Sequence, residues 1–299
     1  MANSENNAIR FLGTGGGDFF YTDYPDCNSD YLPRVRERGG RNLRWAAQAW
    51  IAPDILIDFY DDRQIRTFGV PPESIRHLLI THCHYDHLNP PALLEFASTL
   101  SQPLNVHGIE LVRDSLEFHT ANRWDQASGR FQPQRIATNY RYHAVRPDQS
   151  FRIGDTTVTA VQANHSINKG VWGIPFMPIE HVALNYVIQR NGKTLFYGLD
   201  SSYTLPGTLE TLKRFRFDVA VLDVTFAQMD VEPAQSGHHN FTMIAETIDE
   251  YRRAGIVTDA TKIVASHLSV AHVVPHDDLV DQAAARGITL AYDGMALEF

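Results

Sequence analysis

The segment Thr81-His82-Cys83-His84-Tyr85-Asp86-His87 constrains this chain more than any other stretch of it. Three histidines and one aspartate stand at fixed offsets, His-x-His-x-Asp-His. With 14 histidines among 299 residues, chance assembles that pattern in roughly two of every thousand chains of this composition. In an extended segment alternate side chains point the same way, so His82 and His84 face one ion together. Asp86 and His87 fall at the turn into a following helix, where they reach toward a second ion. Imidazole and carboxylate suit zinc, and they also suit manganese or iron.

One segment cannot complete two coordination spheres. Further ligands have to come from distant strand ends, and three candidates stand where apolar, β-like runs stop. His165 follows Val158–Asn164, Asp200 follows Thr194–Leu199, and His267 follows Lys262–Ser266. A carboxylate at Asp200 suits a bridge, because paired ions sit about 3.5–4 Å apart. Asp223 ends another apolar run, which makes it either a strand cap or a support for a site histidine. Cys83, between two ligand positions, points away from the ions and packs.

The remaining pattern predicts strands at 8–12, 45–51, 55–60, 75–81, 105–107, 151–153, 156–162, 183–189, 194–197, 219–224, 263–265 and 290–292. Residues 45–60 read as a hairpin around Pro53-Asp54. Helices are expected at 90–100, opened by Pro90-Pro91, and at 109–119, 205–215, 242–254 and 276–285. Residues 120–150 are polar and carry no clear period. Gly13-Thr14-Gly15-Gly16-Gly17 lacks the lysine and hydroxyl of a phosphate loop and the GxGxxG spacing, so it reads as a tight turn. Counting strands gives two sheets packed face to face with helices outside.

Composition narrows the class. The net charge of −9 argues against a protein that coats nucleic acid, whose affinity comes mostly from phosphate contacts. The run Arg34, Arg36, Arg38, Arg41, Arg44 is expected to be a solvated, partly mobile basic segment. Two cysteines, Cys27 and Cys83, exclude a disulfide scaffold and fit a reducing, cytoplasmic setting. No secretory signal and no stretch long enough to cross a bilayer are visible, so no membrane partner is expected.

The ordered set His82-x-His84-x-Asp86-His87, His165, Asp200, His267 resembles the ligand motifs of metallo-β-lactamase-fold hydrolases. The resemblance spans nearly the whole chain. It implies the α/β fold of that family, an αββα four-layer sandwich, as a single domain over 1–299 with a variable loop at 18–44 and an insertion at about 101–150. It implies two divalent metal ions, zinc first, with His82, His84 and His165 on one, Asp86, His87 and His267 on the other, and Asp200 between them. Asp58, closing Ile55-Leu56-Ile57, is similar to the family's first-motif aspartate, which supports the site without ligating.

Three features narrow the branch. Phe11–Gly17 and Gly237-His238-His239-Asn240-Phe241 resemble segments of the RNase Z-like and cyclic-phosphodiesterase branches. Asp293-Gly294-Met295 resembles the terminal signature of the phosphonate-operon phosphodiesterases, which act on a ribosyl cyclic phosphate. That group's cysteine-rich zinc site is reduced here to Cys27, and the Gly/Pro-rich arm that RNase Z lays on transfer RNA is missing.

The resemblance thus implies a phosphodiesterase acting on a small or cyclic phosphodiester, working as a homodimer. His238 is the expected general acid and His239 the second choice. Asp293, His272 and His276 are candidates to support ligand histidines, the last two being equally consistent with surface residues. His119, His143 and His181 are expected to be structural or exposed. Three other readings stay open: a lactone, thioester or β-lactam hydrolase, an RNase Z-like nuclease, and a non-catalytic small-molecule-binding protein.

Overall fold

Strands buried on both faces set the architecture. In the computed structural model, which describes residues 7–20, 29–165, 183–232 and 237–299, the run Val219–Asp223 is buried at every position. Val219 and Val221 enter the core between two sheets, while Ala220 and Leu222 enter a second core under helices. A strand covered on both sides has to be apolar throughout, which is why such runs do not alternate in sequence.

The first sheet holds β1 (Ala8–Gly13), β2 (Gln48–Ile51), β3 (Ile55–Ile57), β4 (His77–Leu79), β5 (Leu104–Gly108), β8 (Tyr140–Ala144) and β16 (Ala296–Glu298), in the order β16-β1-β2-β3-β4-β5-β8. Between β5 and β8, β6 (Asn122–Asp125) and β7 (Arg130–Pro133) form a separate two-stranded sheet. The second large sheet holds β9 (Ser150–Ile153), β10 (Thr156–Gln162), β11 (Leu184–Arg190), β12 (Lys193–Gly198), β13 (Val219–Asp223), β14 (Lys262–Ser266) and β15 (Ile288–Leu290), ordered β15-β14-β13-β12-β11-β10-β9.

Each large sheet is half antiparallel and half parallel. Strands β16, β1, β2 and β3 alternate in direction, then β3, β4, β5 and β8 run together. In the other sheet β9 to β12 alternate and β12 to β15 run together.

Helices α1 (Leu32–Arg38), α2 (Asp62–Thr67), α3 (Pro90–Thr99), α4 (Glu110–Ala121), α5 (Pro206–Leu212), α6 (Phe241–Arg253) and α7 (His276–Ala284) complete the described elements. Leu93, Phe96, Val112 and Leu116 of α3 and α4 join the core of the first sheet, and Ile244, Ile248 and Leu279 of α6 and α7 cover the second. The result is the four-layer αββα arrangement. Asp61, Asn89 and Asn240 each cap a helix, their side chains accepting from main-chain N–H groups of the first turn.

Several expectations change. The arginine run is largely solvated, as Arg34, Arg38 and Arg41 are exposed, but it is pinned and not loose. Arg34 and Arg38 pair with Asp278 at 2.5 and 2.7 Å, and Arg41 lies 4.2 Å over the Tyr292 ring. Arg44 is buried, donating to Thr14 Oγ1 at 2.5 Å and Ala291 O at 2.9 Å. Within 101–150, β5 and β8 are integral strands of the first sheet, and only β6 and β7 stand apart. Strand β16 had no counterpart in the sequence reading.

Candidate metal centre

Strand direction decides where polar side chains gather. Asp58 follows β3, the His82–His87 segment follows β4, His165 follows β10, Asp200 follows β12, Asp223 ends β13 and His267 follows β14. All lie at carboxyl ends, the place where α/β sheets open a crevice for ligands. Three of these residues adopt the left-handed conformation without being glycine: Asp58 (φ 58°), Asp200 (φ 49°) and His267 (φ 69°). Such backbone persists where the surroundings over-determine it, and it collects at functional sites.

Two groups of donors form, and a third set, Asp200, His238 and His267, overlaps them. In the first, His84 Nδ1 lies 2.9 Å from His82 Nε2 and 3.1 Å from His165 Nε2, and Asp200 Oδ1 lies 3.9 and 3.7 Å from those two nitrogens. In the second, His87 Nε2 lies 3.1 Å from His267 Nε2 and 3.3 Å from Asp86 Oδ2, and His267 Nε2 lies 3.4 Å from the same oxygen. Asp200 Oδ2 faces this second group, 3.0 Å from His87 Nε2 and 3.2 Å from His267 Nε2. One carboxylate thus presents one oxygen to each group.

The donors fit divalent cations. Tetrahedral ligands at the usual zinc distances stand about 3.3–3.4 Å from one another, and the contacts above bracket that value. Three imidazole nitrogens converging within one group cannot all be satisfied by a shared proton. Asp200 Oδ2 is buried with no aligned hydrogen bond from any described residue. Each group brings ligand atoms within 4.8 Å of one another.

The far sides of the rings are held. His87 Nδ1 lies 2.7 Å from Asp58 Oδ2, and Asp58 Oδ1 accepts from Thr81 N at 2.7 Å. His82 Nδ1 meets Thr81 Oγ1 at 3.0 Å, His267 Nδ1 meets Thr225 Oγ1 at 2.8 Å, and His165 Nδ1 meets Gly237 O at 3.3 Å. Such partners fix the tautomer and aim the other nitrogen at the site. Thr81, Thr225 and the Gly237 carbonyl escaped the sequence reading, because nothing in their local pattern marks them.

The electrostatics divide the two groups. Burial lowers His82 well below the ordinary imidazole range and takes His165 to about 4, so both stay neutral, the form that binds metal. Burial alone would lower His87 and His267 too. The carboxylates of Asp200, Asp86 and Asp58 outweigh it at His87, and Asp200 with Asp223 raises His267 to about 10. The second group therefore demands positive charge, which a cation supplies in place of protons.

His238 stands beside both groups, its ring 4.9 Å from that of His165 and 5.5 Å from that of His267. Its Nδ1 lies 3.0 Å from Asp223 Oδ2. His239 turns the other way: it is buried, and its Nε2 meets Thr247 Oγ1 of α6 at 3.0 Å. Asp223 serves both readings given to it, since it also accepts from Thr225 N, His239 N and Asp200 N.

The glycine turn passes over the centre. A Cβ on Gly16 would lie 3.3 Å from His267 Cε1, and one on Gly17 would lie 3.6 Å from Asp86 Oδ2. Cys83 packs against the first core, and burial pushes its thiol up to about 12.

Other candidates lie elsewhere. Asp293 touches no ligand histidine among the described residues. It accepts from Thr14 Oγ1 and Trp45 N, both at 2.6 Å. His276 meets buried Arg44 at 2.8 Å, and His272 faces Asp18 at 3.4 Å. His143 is exposed and stacks on His107, and His119 packs by Phe118. His181 and Cys27 lie outside the described residues. No helix among the described residues is long and apolar enough to cross a membrane.

A family model described as a beta-lactamase superfamily domain matches residues 50–267. Among solved structures, the chain is similar to a diphosphatase of the PhnP family, with 18% identity, 98% of this chain and 97% of that chain covered, and a TM-score of 0.69. Zinc-bound PqqB from Methylobacterium extorquens is similar at 16% identity, with 98% and 100% covered and a TM-score of 0.68. The short form of human tRNase Z is similar at 17% identity, with 97% and 98% covered and a TM-score of 0.61. At these identities the likeness is one of fold. A search of curated protein sequences gives no match.

Proposed function

Because this chain belongs to the beta-lactamase superfamily, we propose that it is a binuclear metal-dependent hydrolase acting on a small or cyclic phosphodiester. The observation that carries the reading is Asp200, whose two oxygens face two separate sets of imidazole nitrogens. His82, His84 and His165 would hold one ion, Asp86, His87 and His267 would hold the other, and Asp200 would serve both. Zinc suits these nitrogen and oxygen donors, with manganese or iron as alternatives. When bound, the pair supplies water acidified toward neutral pH and positive charge beside the phosphoryl oxygens.

The protein's own groups do the rest. Asp58 keeps His87 in the tautomer that leaves Nε2 free for an ion, and Thr225 with Asp223 does the same for His267. His238, oriented at Nδ1 by Asp223, donates a proton to the departing alkoxide, a role worth about 10²–10⁴ in rate. A side chain in place of Gly17 would lie against Asp86, its Cβ 3.6 Å from Oδ2. A phosphodiester is favoured by His238 in its Gly-His-His-Asn segment, and the similarity to a diphosphatase supports phosphoryl chemistry in general. The net charge of −9 favours a small substrate over a polynucleotide.

The test is metal analysis of the purified protein joined to a hydrolysis panel of cyclic and acyclic phosphodiesters, lactones and thioesters. Two equivalents of divalent metal and fastest turnover of a phosphodiester are expected. A single equivalent, or faster lactone or thioester hydrolysis, overturns the assignment.

A further inference from the structure

We propose that Asp18 and Thr14, on the turn after β1, form a strut that fixes His267 and so sets the affinity of the second ion. The inference rests on the binuclear reading above and deepens it.

His267 alone among the proposed histidine ligands adopts a left-handed backbone, φ 69°, so something must hold it there. Its neighbour Leu268 is tied to the glycine turn through both of its main-chain groups. Leu268 N donates to Thr14 O at 2.9 Å, and Gly16 N donates to Leu268 O at 2.9 Å. Beyond Leu268, the Asp18 carboxylate accepts from Ser269 Oγ at 2.5 Å, Val270 N at 3.1 Å and Ala271 N at 2.8 Å, with His272 Nδ1 at 3.4 Å. Burial alone would raise this carboxyl, but those hydrogen bonds outweigh it and hold it below the usual range.

The turn is itself anchored. Buried Arg44 donates to Thr14 Oγ1 at 2.5 Å, and Thr14 Oγ1 donates to Asp293 Oδ1 at 2.6 Å. The chain of contacts runs from Arg44 and Asp293 through Thr14 to Leu268, and from Asp18 to the three residues beyond it. None of these side chains is assigned to an ion. Asp18 and Thr14 are therefore positioning residues, acting through His267. Their influence falls on the second group, because His82, His84 and His165 come from other strand ends.

The test is cobalt(II) titration of the metal-free full chain, read by ligand-field absorption and equilibrium dialysis. Wild type is expected to take up two ions. Asp18→Asn should leave the first dissociation constant within about twofold and weaken the second by about 10–100-fold, the range for groups that orient a ligand. Thr14→Val should act in the same direction, and Thr14→Ser, which keeps both hydroxyl bonds, should restore wild-type binding. If Asp18→Asn fails to fold, Ser269→Ala removes one arm of the clamp and should still weaken the second ion selectively.

A folded Asp18→Asn or Ser269→Ala protein with both constants unchanged overturns the strut alone. Equal weakening of both ions overturns it as well, because that is general loosening. Wild type binding only one cobalt overturns the binuclear reading and takes the strut with it.

Discussion

Replacing Asp58 by asparagine should disarm one ion site without disturbing the fold. Asp58 is fully buried, and its left-handed φ of 58° is one that asparagine tolerates. Both oxygens lie within reach of the Thr81 hydroxyl, at 3.0 and 2.9 Å, but their other partners differ. Oδ1 accepts from Thr81 N at 2.7 Å, and Oδ2 faces His87 Nδ1 at 2.7 Å. Asparagine has one acceptor oxygen. The main-chain N–H of Thr81 cannot turn away, so the oxygen stays there and the amide nitrogen is left facing His87.

Two donors cannot share that line. His87 must accept at Nδ1 and move its proton to Nε2, the atom lying 3.0 Å from Asp200 Oδ2 and 3.3 Å from Asp86 Oδ2. A protonated Nε2 offers no lone pair to a cation. Loss of a ligand's orienting partner costs about 10–100-fold in metal affinity, equivalent to about 1.4–2.7 kcal/mol. Competition against a chromophoric chelator measures both dissociation constants, and a thermal scan checks the fold. The second constant should rise by that factor while the first stays put. Asp58→Asn binding the second ion within twofold of wild type refutes the tautomer argument, and so does an equal loss at both ions.

Other outcomes follow from the same geometry. His238→Ala should cost about 10²–10⁴-fold in turnover of phosphodiesters with poor leaving groups and far less for nitrophenyl esters, which need no proton; undiminished turnover removes His238 from that role. Chelation should lower the melting temperature, since an ion held at a hundred times its dissociation constant stabilises by about 2.7 kcal/mol; identical scans with and without chelator would contradict a site built in the folded state. Burial, then His143 and His77, depress His107 to about 3, below the free imidazole value. Its neutral ring therefore contributes fully above about pH 6.5, and that contribution is lost as pH falls toward 3. Between pH 7 and 5, urea unfolding should show wild type losing about 2 kcal/mol more than His107→Phe, a variant that keeps the stack on Phe151. Equal pH slopes would refute it.

How much of this could be read from the chain depends on how local each signal is. The offsets in 82–87 need only the period of an extended segment. His165, Asp200 and His267 are legible because each follows a run apolar enough to be a buried strand, and parallel strands deliver their carboxyl ends to one edge. Asp18 is not legible, because its partner Ser269 lies 251 positions away and the contacts beyond it are to main chain. Arg44 looks like its exposed neighbours in a basic run, and only its contacts with Thr14, Ala291 and His276 mark it as buried. Asp293 is expected from the sequence to support a ligand histidine, but the N–H and hydroxyl it meets belong to Trp45 and Thr14. Strand β16 has three residues and no alternation strong enough to announce it, and β1 supplies the edge that recruits it.

The division of the centre between two sheets carries a consequence for how such a molecule matures. Four of the proposed ligands follow β4, and the other three leave β10, β12 and β14. A nascent first half therefore holds imidazoles and a carboxylate but lacks Asp200, the group that would join two ions. On the binuclear reading, tight capture of the pair would wait until the halves have docked, so cation uptake would serve as a checkpoint on assembly.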